Sequence, residues 1–206
     1  RKEGRGKKLR KKSHILLGRY LADQMSEVYS LQQHRKAFCL GNIMPDLKPS
    51  FLTTRHEFFG TFNQLQSNMR ELVERSPEED NARVYWRRFG EVMHYMADYF
   101  TFPHNRTYKG SLAEHNSYEA ELKNRLKECI LSGRADSQLE EAKHFDSFEE
   151  LVEYIRERHT CYLESPRCIA DDIRFILRVC YQVVQGIFQL CMRRQFHMEE
   201  QPLMVG

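Results

Sequence analysis

Residues 91–105, EVMHYMADYFTFPHN, place His94 and Asp98 one helical turn apart, meet Pro103 and deliver His104 at once. Positions i and i+4 share one helix face, so the His94 and Asp98 side chains point the same way. Core helices avoid ionisable side chains unless something pairs with them. This segment carries three within eleven residues, among Val, Met, Tyr and Phe. Gly90 and Ala97 leave room beside the pair, and Phe89, Val92, Met96 and Tyr99 supply a stripe suited to packing. Pro103 disfavours helical geometry at Phe102, so His104 is expected from a loop.

The same device recurs. HNSYE gives His115 and Glu119 at i and i+4, on a stripe continued by Leu122, Leu126 and Ile130. His14 shares its stripe with Leu17, Gly18 and Leu21, and the irregular segment between helices adds Asp46 in GNIMPDLKP and His56 in TTRHEFF. A single inward His is more often a satisfied core histidine than a ligand. Two helices each with a His–carboxylate pair, and a third with an inward His, point instead to a metal. Neutral imidazole and carboxylate are the ligands of zinc and related divalent ions, and buried without one they lack partners for their charge. His34, His144, His159 and His197 lie in polar surroundings outside the pattern and are expected at the surface. No G-x-S-x-G, Gly-rich phosphate loop or H-E-x-x-H is present, and RHEFF lacks the second His of the last.

Almost every other segment also reads as helix: 14–27, 30–40, 61–75, 80–102, 112–132, 147–164 and a long one from Pro166 to about Phe196. Gly41-Asn42, Ser76-Pro77 and Gly133 punctuate them, and S-x-x-E opens the helices after Ser111 and Ser147. No strand alternation persists and no internal repeat is visible. The expectation is an all-α, single compact multi-helix domain over 13–198 with a zinc cluster between helices. A basic disordered tail (1–12) and a short C-terminal tail (199–206) flank it. The 206 residues suffice for one core. Arg178, Gln182, Gln185 and Gln189 interrupt the most apolar run, so no transmembrane segment is expected. The six cysteines form no C-x-x-C pair, and Cys129, Cys180 and Cys191 sit at apolar helix positions, as reduced thiols in a cytoplasmic protein would. Residues 1–12 carry net +7, so the remainder carries −4 against the whole chain's +3. Such a tail suits peripheral contact with an anionic membrane surface. No obligate protein partner is expected.

At these residues the chain resembles the bacterial zinc-dependent phospholipase C family. The family's ordered pattern is an early His, then Asp, then His, then H-x-x-x-D-x(5)-H, then H-x-x-x-E. Here His14, Asp46, His56, His94 with Asp98, His104, and His115 with Glu119 fall in that order, and HYMADYFTFPHN is close to the family's core phrase. The resemblance implies Zn²⁺, two or three ions. His56, His94 and Asp98 would hold one, His104, His115 and Glu119 a second, and His14 with a bridging Asp98 would contribute to a third. Asp46 matches the family's carboxylate near the metals, the general base toward the attacking water. The implied activity is phospholipase C-type hydrolysis of a phospholipid or related phosphodiester. Secreted members close the third site with an N-terminal Trp; this chain begins Arg1 and its one Trp is Trp86, so the third site is expected to be the weakest. A single-strand-specific zinc nuclease shares this metal trio but tends to end on H-x-x-x-D. A non-catalytic zinc-binding domain of the same fold is the other alternative.

Overall fold

The computed structural model describes residues 3–47, 57–79 and 81–199, with side chains given between 12 and 196 of these. The described residues form eight α-helices: α1 (Glu3–Gln24), α2 (Tyr29–Gln33), α3 (Arg35–Gly41), α4 (Phe58–Glu74), α5 (Ala82–Tyr99), α6 (Leu112–Leu131), α7 (Phe148–Glu164) and α8 (Ile169–Glu199). Short 3-10 turns lie at Pro45–Leu47, Phe102–His104 and Asp136–Gln138, and there is no strand among the described residues.

Local chemistry sets most of the boundaries. Asn81 Oδ1 accepts from Val84 N–H and starts α5. Ser111 and Glu114 form both bonds of a capping box at α6, and Ser147 Oγ accepts from Glu150 N–H at α7. α1 begins at Glu3, so its backbone takes in most of the basic stretch read as a disordered tail. Lys and Arg are good helix formers, and no Gly or Pro lies between Lys7 and the amphipathic stretch at His14. α8 starts three residues later than Pro166 because Arg167 adopts a left-handed backbone, φ +56°, which a right-handed helix excludes.

α5 runs through the middle, with Trp86, Phe89, Met93, Met96 and Tyr99 fully buried. Trp86 donates from Nε1 to Ser30 Oγ and stacks on Phe89, so it is a core residue. α3 crosses α5 at Gly41 and Gly90, where a Cβ on either would collide with a backbone carbonyl of the facing helix. α8 closes the core against α4, α5, α6 and α7. By length and composition, an 18-residue window within Ile169–Phe196 of α8 is apolar enough to cross a membrane, which the Arg and Gln interruptions were expected to preclude. In the fold 61% of that apolar window is buried, and Gln182 is satisfied there by Lys143 N–H and the Glu141 carbonyl. All six cysteines are free thiols; Cys129, Cys180 and Cys191 are buried.

Candidate metal centre

α1, α5, α6 and the 3-10 turn after α5 bring the expected ligands to one place. His94 comes from the middle of α5, one turn beyond the Gly41–Gly90 crossing. That crossing sets the Asn42 carbonyl 2.9 Å from His94 Nδ1. The carbonyl only accepts, so Nδ1 carries the proton and Nε2 faces the carboxylates. A ligand His is oriented in this way by a bond on its other nitrogen. Nε2 lies 3.2 Å from Asp98 Oδ2 and 3.9 Å from Asp46 Oδ1. Asp98 Oδ1 lies 3.3 Å from His14 Nε2, and the His14 and His94 rings stand 4.0 Å apart.

The second group begins at the same carboxylate. His104 Nδ1 is 3.5 Å from Asp98 Oδ2, and its Nε2 is 3.3 Å from Glu119 Oε1. His115 Nε2 approaches Glu119 Oε1 to 2.7 Å. Potential ligand atoms of His14, His94 and Asp98 all lie within 4.8 Å of one another, and so do those of His104, His115 and Glu119. His104, standing between Asp98 and Glu119, couples the two groups. A cavity of about 30 Å³ between them is floored by Leu17, Leu122 and Ile176. A wider groove of about 380 Å³ between α4 and α5 has Arg88 paired with Glu71 on its wall and gathers none of these ligands.

The donor set fits a divalent cation. His94, Asp98 and Glu119 are buried, His14 nearly so. Burial, then the neighbouring His94, pushes the His14 imidazole below its ordinary range, against the pull of Asp98. It therefore stands neutral, with a lone pair to give. For His94 burial opposes charge, but the Asp98 and Asp46 carboxylates outweigh it and the net shift is upward. Positive charge is what this pocket lacks, and a proton on His94 only partly supplies it. Asp46 Oδ2 is buried with no hydrogen-bond partner among the described residues. Such an orphan acceptor calls for a cation or a water.

His56 lies outside the described residues, so the proposed trio of His56, His94 and Asp98 has two of its members in place. The structure puts His14 in the position beside them. His159, expected at the surface, is instead buried: its ring stacks on Phe58 at 3.9 Å and meets Phe100 edge-on. The signal was there, since His159 continues the stripe of Leu151, Val152, Ile155 and Tyr162 at helical spacing. His34 is part-buried on the Ser30 carbonyl, His144 is exposed, and the His197 side chain lies outside the described set. The Asn42 carbonyl was missed, because a backbone acceptor leaves no trace in side-chain spacing.

No curated protein and no solved structure matches the chain significantly. The family model for zinc-dependent phospholipase C matches residues 13–169, which hold both ligand groups and Asp46. With three quarters of its length under that match, the chain belongs to the zinc-dependent phospholipase C family.

Proposed function

We propose that the chain hydrolyses a phosphodiester by attack of water, as a phospholipase C does, with zinc at the two His–carboxylate groups. The observation that carries this reading is Asp46. Its Oδ1 lies 3.9 Å from His94 Nε2 while Oδ2 stays buried and unpaired among the described residues. A carboxylate so placed has an acceptor to spare next to the candidate metal position. Zinc bound here supplies Lewis acidity toward phosphoryl oxygens and lowers the pKa of water toward ~7.

The chain's own residues do the rest. The Asn42 carbonyl holds His94 in one tautomer, and Asp98 ties the two groups together through His14, His94 and His104. Asp46 takes the proton of the attacking water. The new bond joins that oxygen to phosphorus, the bond from phosphorus to the leaving oxygen breaks, and that oxygen takes up a proton from solvent to depart as the alcohol. With a phospholipid the products are diacylglycerol and the phosphorylated head group. The two groups support two ions, with His56 as a further ligand of the first. A third ion is expected to bind more weakly. The basic stretch 1–12 adds peripheral attraction to an anionic surface, which concentrates the protein where such substrates lie.

The test is hydrolysis of a soluble phosphocholine ester and of single-stranded DNA, side by side, by zinc-loaded and chelator-treated protein. Ester hydrolysis that vanishes with chelation and returns with zinc is expected. Cleavage of DNA alone would make the chain a nuclease, and turnover of neither would make it a non-catalytic zinc protein.

A further inference from the structure

Asp172 is fully buried in the first turn of α8, beyond the residues that match the family model. Its two oxygens accept from three donors on three elements. Oδ1 accepts from the Tyr162 hydroxyl of α7 at 2.7 Å. Oδ2 accepts from the Tyr118 hydroxyl of α6 and from the Phe102 N–H, each at 2.9 Å. Two of these donors lead directly to the second ligand group. Phe102 opens the 3-10 turn that ends in His104. Tyr118 sits between His115, one turn earlier, and Glu119, the next residue. Tyr162 leads to no ligand.

Stability alone does not account for this carboxylate. Burial pushes its carboxyl up to about 6, against the pull of all three hydrogen bonds, so holding it ionised at neutral pH works against folding. The α7–α8 turn grips the same loop a second time: Arg167 Nη1 donates to Thr107 Oγ1 at 2.7 Å, with its guanidinium over the Phe102 ring. Arg167 does so from a left-handed backbone that costs a non-Gly residue energy, and such strain clusters at functional sites.

We propose that Asp172 is a positioning residue: it fixes the His104 turn against the Glu119 helix and thereby sets the affinity of the His104–His115–Glu119 group for its metal. The inference rests on the metal reading above. It differs from a general packing role in touching one ion and sparing the other.

The test is a two-site Co²⁺ or Zn²⁺ titration against a competing chelator. Glu119→Ala serves as the reference that identifies which constant belongs to the second group. Asp172→Asn keeps the shape but turns one acceptor into a donor; Tyr118→Phe removes one arm only. Both are expected to weaken the second ion by about 10–100-fold, the usual effect of losing an outer partner of a ligand. The first ion should hold to within about threefold. Tyr162→Phe removes a bond of the same kind from the arm that leads to no ligand. It should lower the melting temperature of metal-free protein and leave both constants within about threefold. Tyr118→Phe deletes a single part-buried hydroxyl, so it remains decisive if Asp172→Asn fails to fold. The proposal is overturned if Tyr118→Phe shifts both ions alike or neither, or if Tyr162→Phe weakens the second ion as much. A wild-type chain that takes up fewer than two ions removes the metal reading and this one together; two ions with unchanged variants remove this one alone.

Discussion

His94 donates through Nδ1 to the Asn42 carbonyl and presents Nε2 to Asp98 and Asp46, and Glu119 stands between His104 and His115. Removing either ligand leaves partners buried with uncompensated charge. His94→Ala and Glu119→Ala should therefore each lose about one equivalent of zinc and melt at lower temperature, read by elemental analysis and calorimetry. Asp46→Asn keeps the shape but cannot accept a proton at neutral pH. Its zinc content should stay near wild type while turnover falls roughly 10²–10⁴-fold, the span for a positioned general base; undiminished turnover would remove Asp46 from the chemistry. His159 predicts a pH effect away from the metals. Burial lowers its pKa from 6.5 to about 4, so the unfolded chain binds the proton that the native chain refuses. Stability from this group is complete above about pH 6.5 and drains away as pH falls toward 4, by at most about 3 kcal/mol. His159→Phe retains a ring against Phe58 and cannot titrate. Urea unfolding of both proteins at pH 7 and pH 5 should show a smaller acid loss in the variant, and equal losses would contradict the assignment.

At the scale of elements, the α3–α5 crossing is the joint on which the His94 side of the site depends. Gly90→Ala would drive a methyl into the Phe38 carbonyl and displace the Asn42 backbone that orients His94. It should cost at least about 2 kcal/mol of stability and weaken metal binding; a variant of unchanged stability would show that α3 can move away freely. Ser111→Ala breaks the capping box at the start of α6, one turn before His115, and should cost about 1 kcal/mol in thermal unfolding. The caps and punctuation of these helices were legible in sequence, as were the i, i+4 pairs, because they obey local rules of period and hydrogen bonding. The start of α1 was not, since a basic run reads equally as solvated coil or helix. His159 escaped because its sequence neighbours are polar while its helical neighbours, four residues away, are not. Asn42 and Asp172 act through contacts 52 and 70 residues distant in the chain, and no local pattern records those.

At the scale of the whole molecule, burial and charge divide the chain. α8 spends its apolar length on the core, and the net +7 of residues 1–12 precedes the site residues at one end of α1. Replacing Lys7, Lys8, Arg10 and Lys11 with Gln preserves helix propensity and removes four charges. Sedimentation with anionic vesicles should weaken at low salt and converge with wild type at high salt, as screening removes the attraction. Hydrolysis of a small soluble ester should not change. Everything functional in this account depends on metal at the two His–carboxylate groups. The direct measurement is the zinc content of wild-type protein by elemental analysis, after stripping, zinc resupply and removal of free ion. Two or more zinc ions per chain are predicted; fewer than two would contradict a metal at each of the two groups.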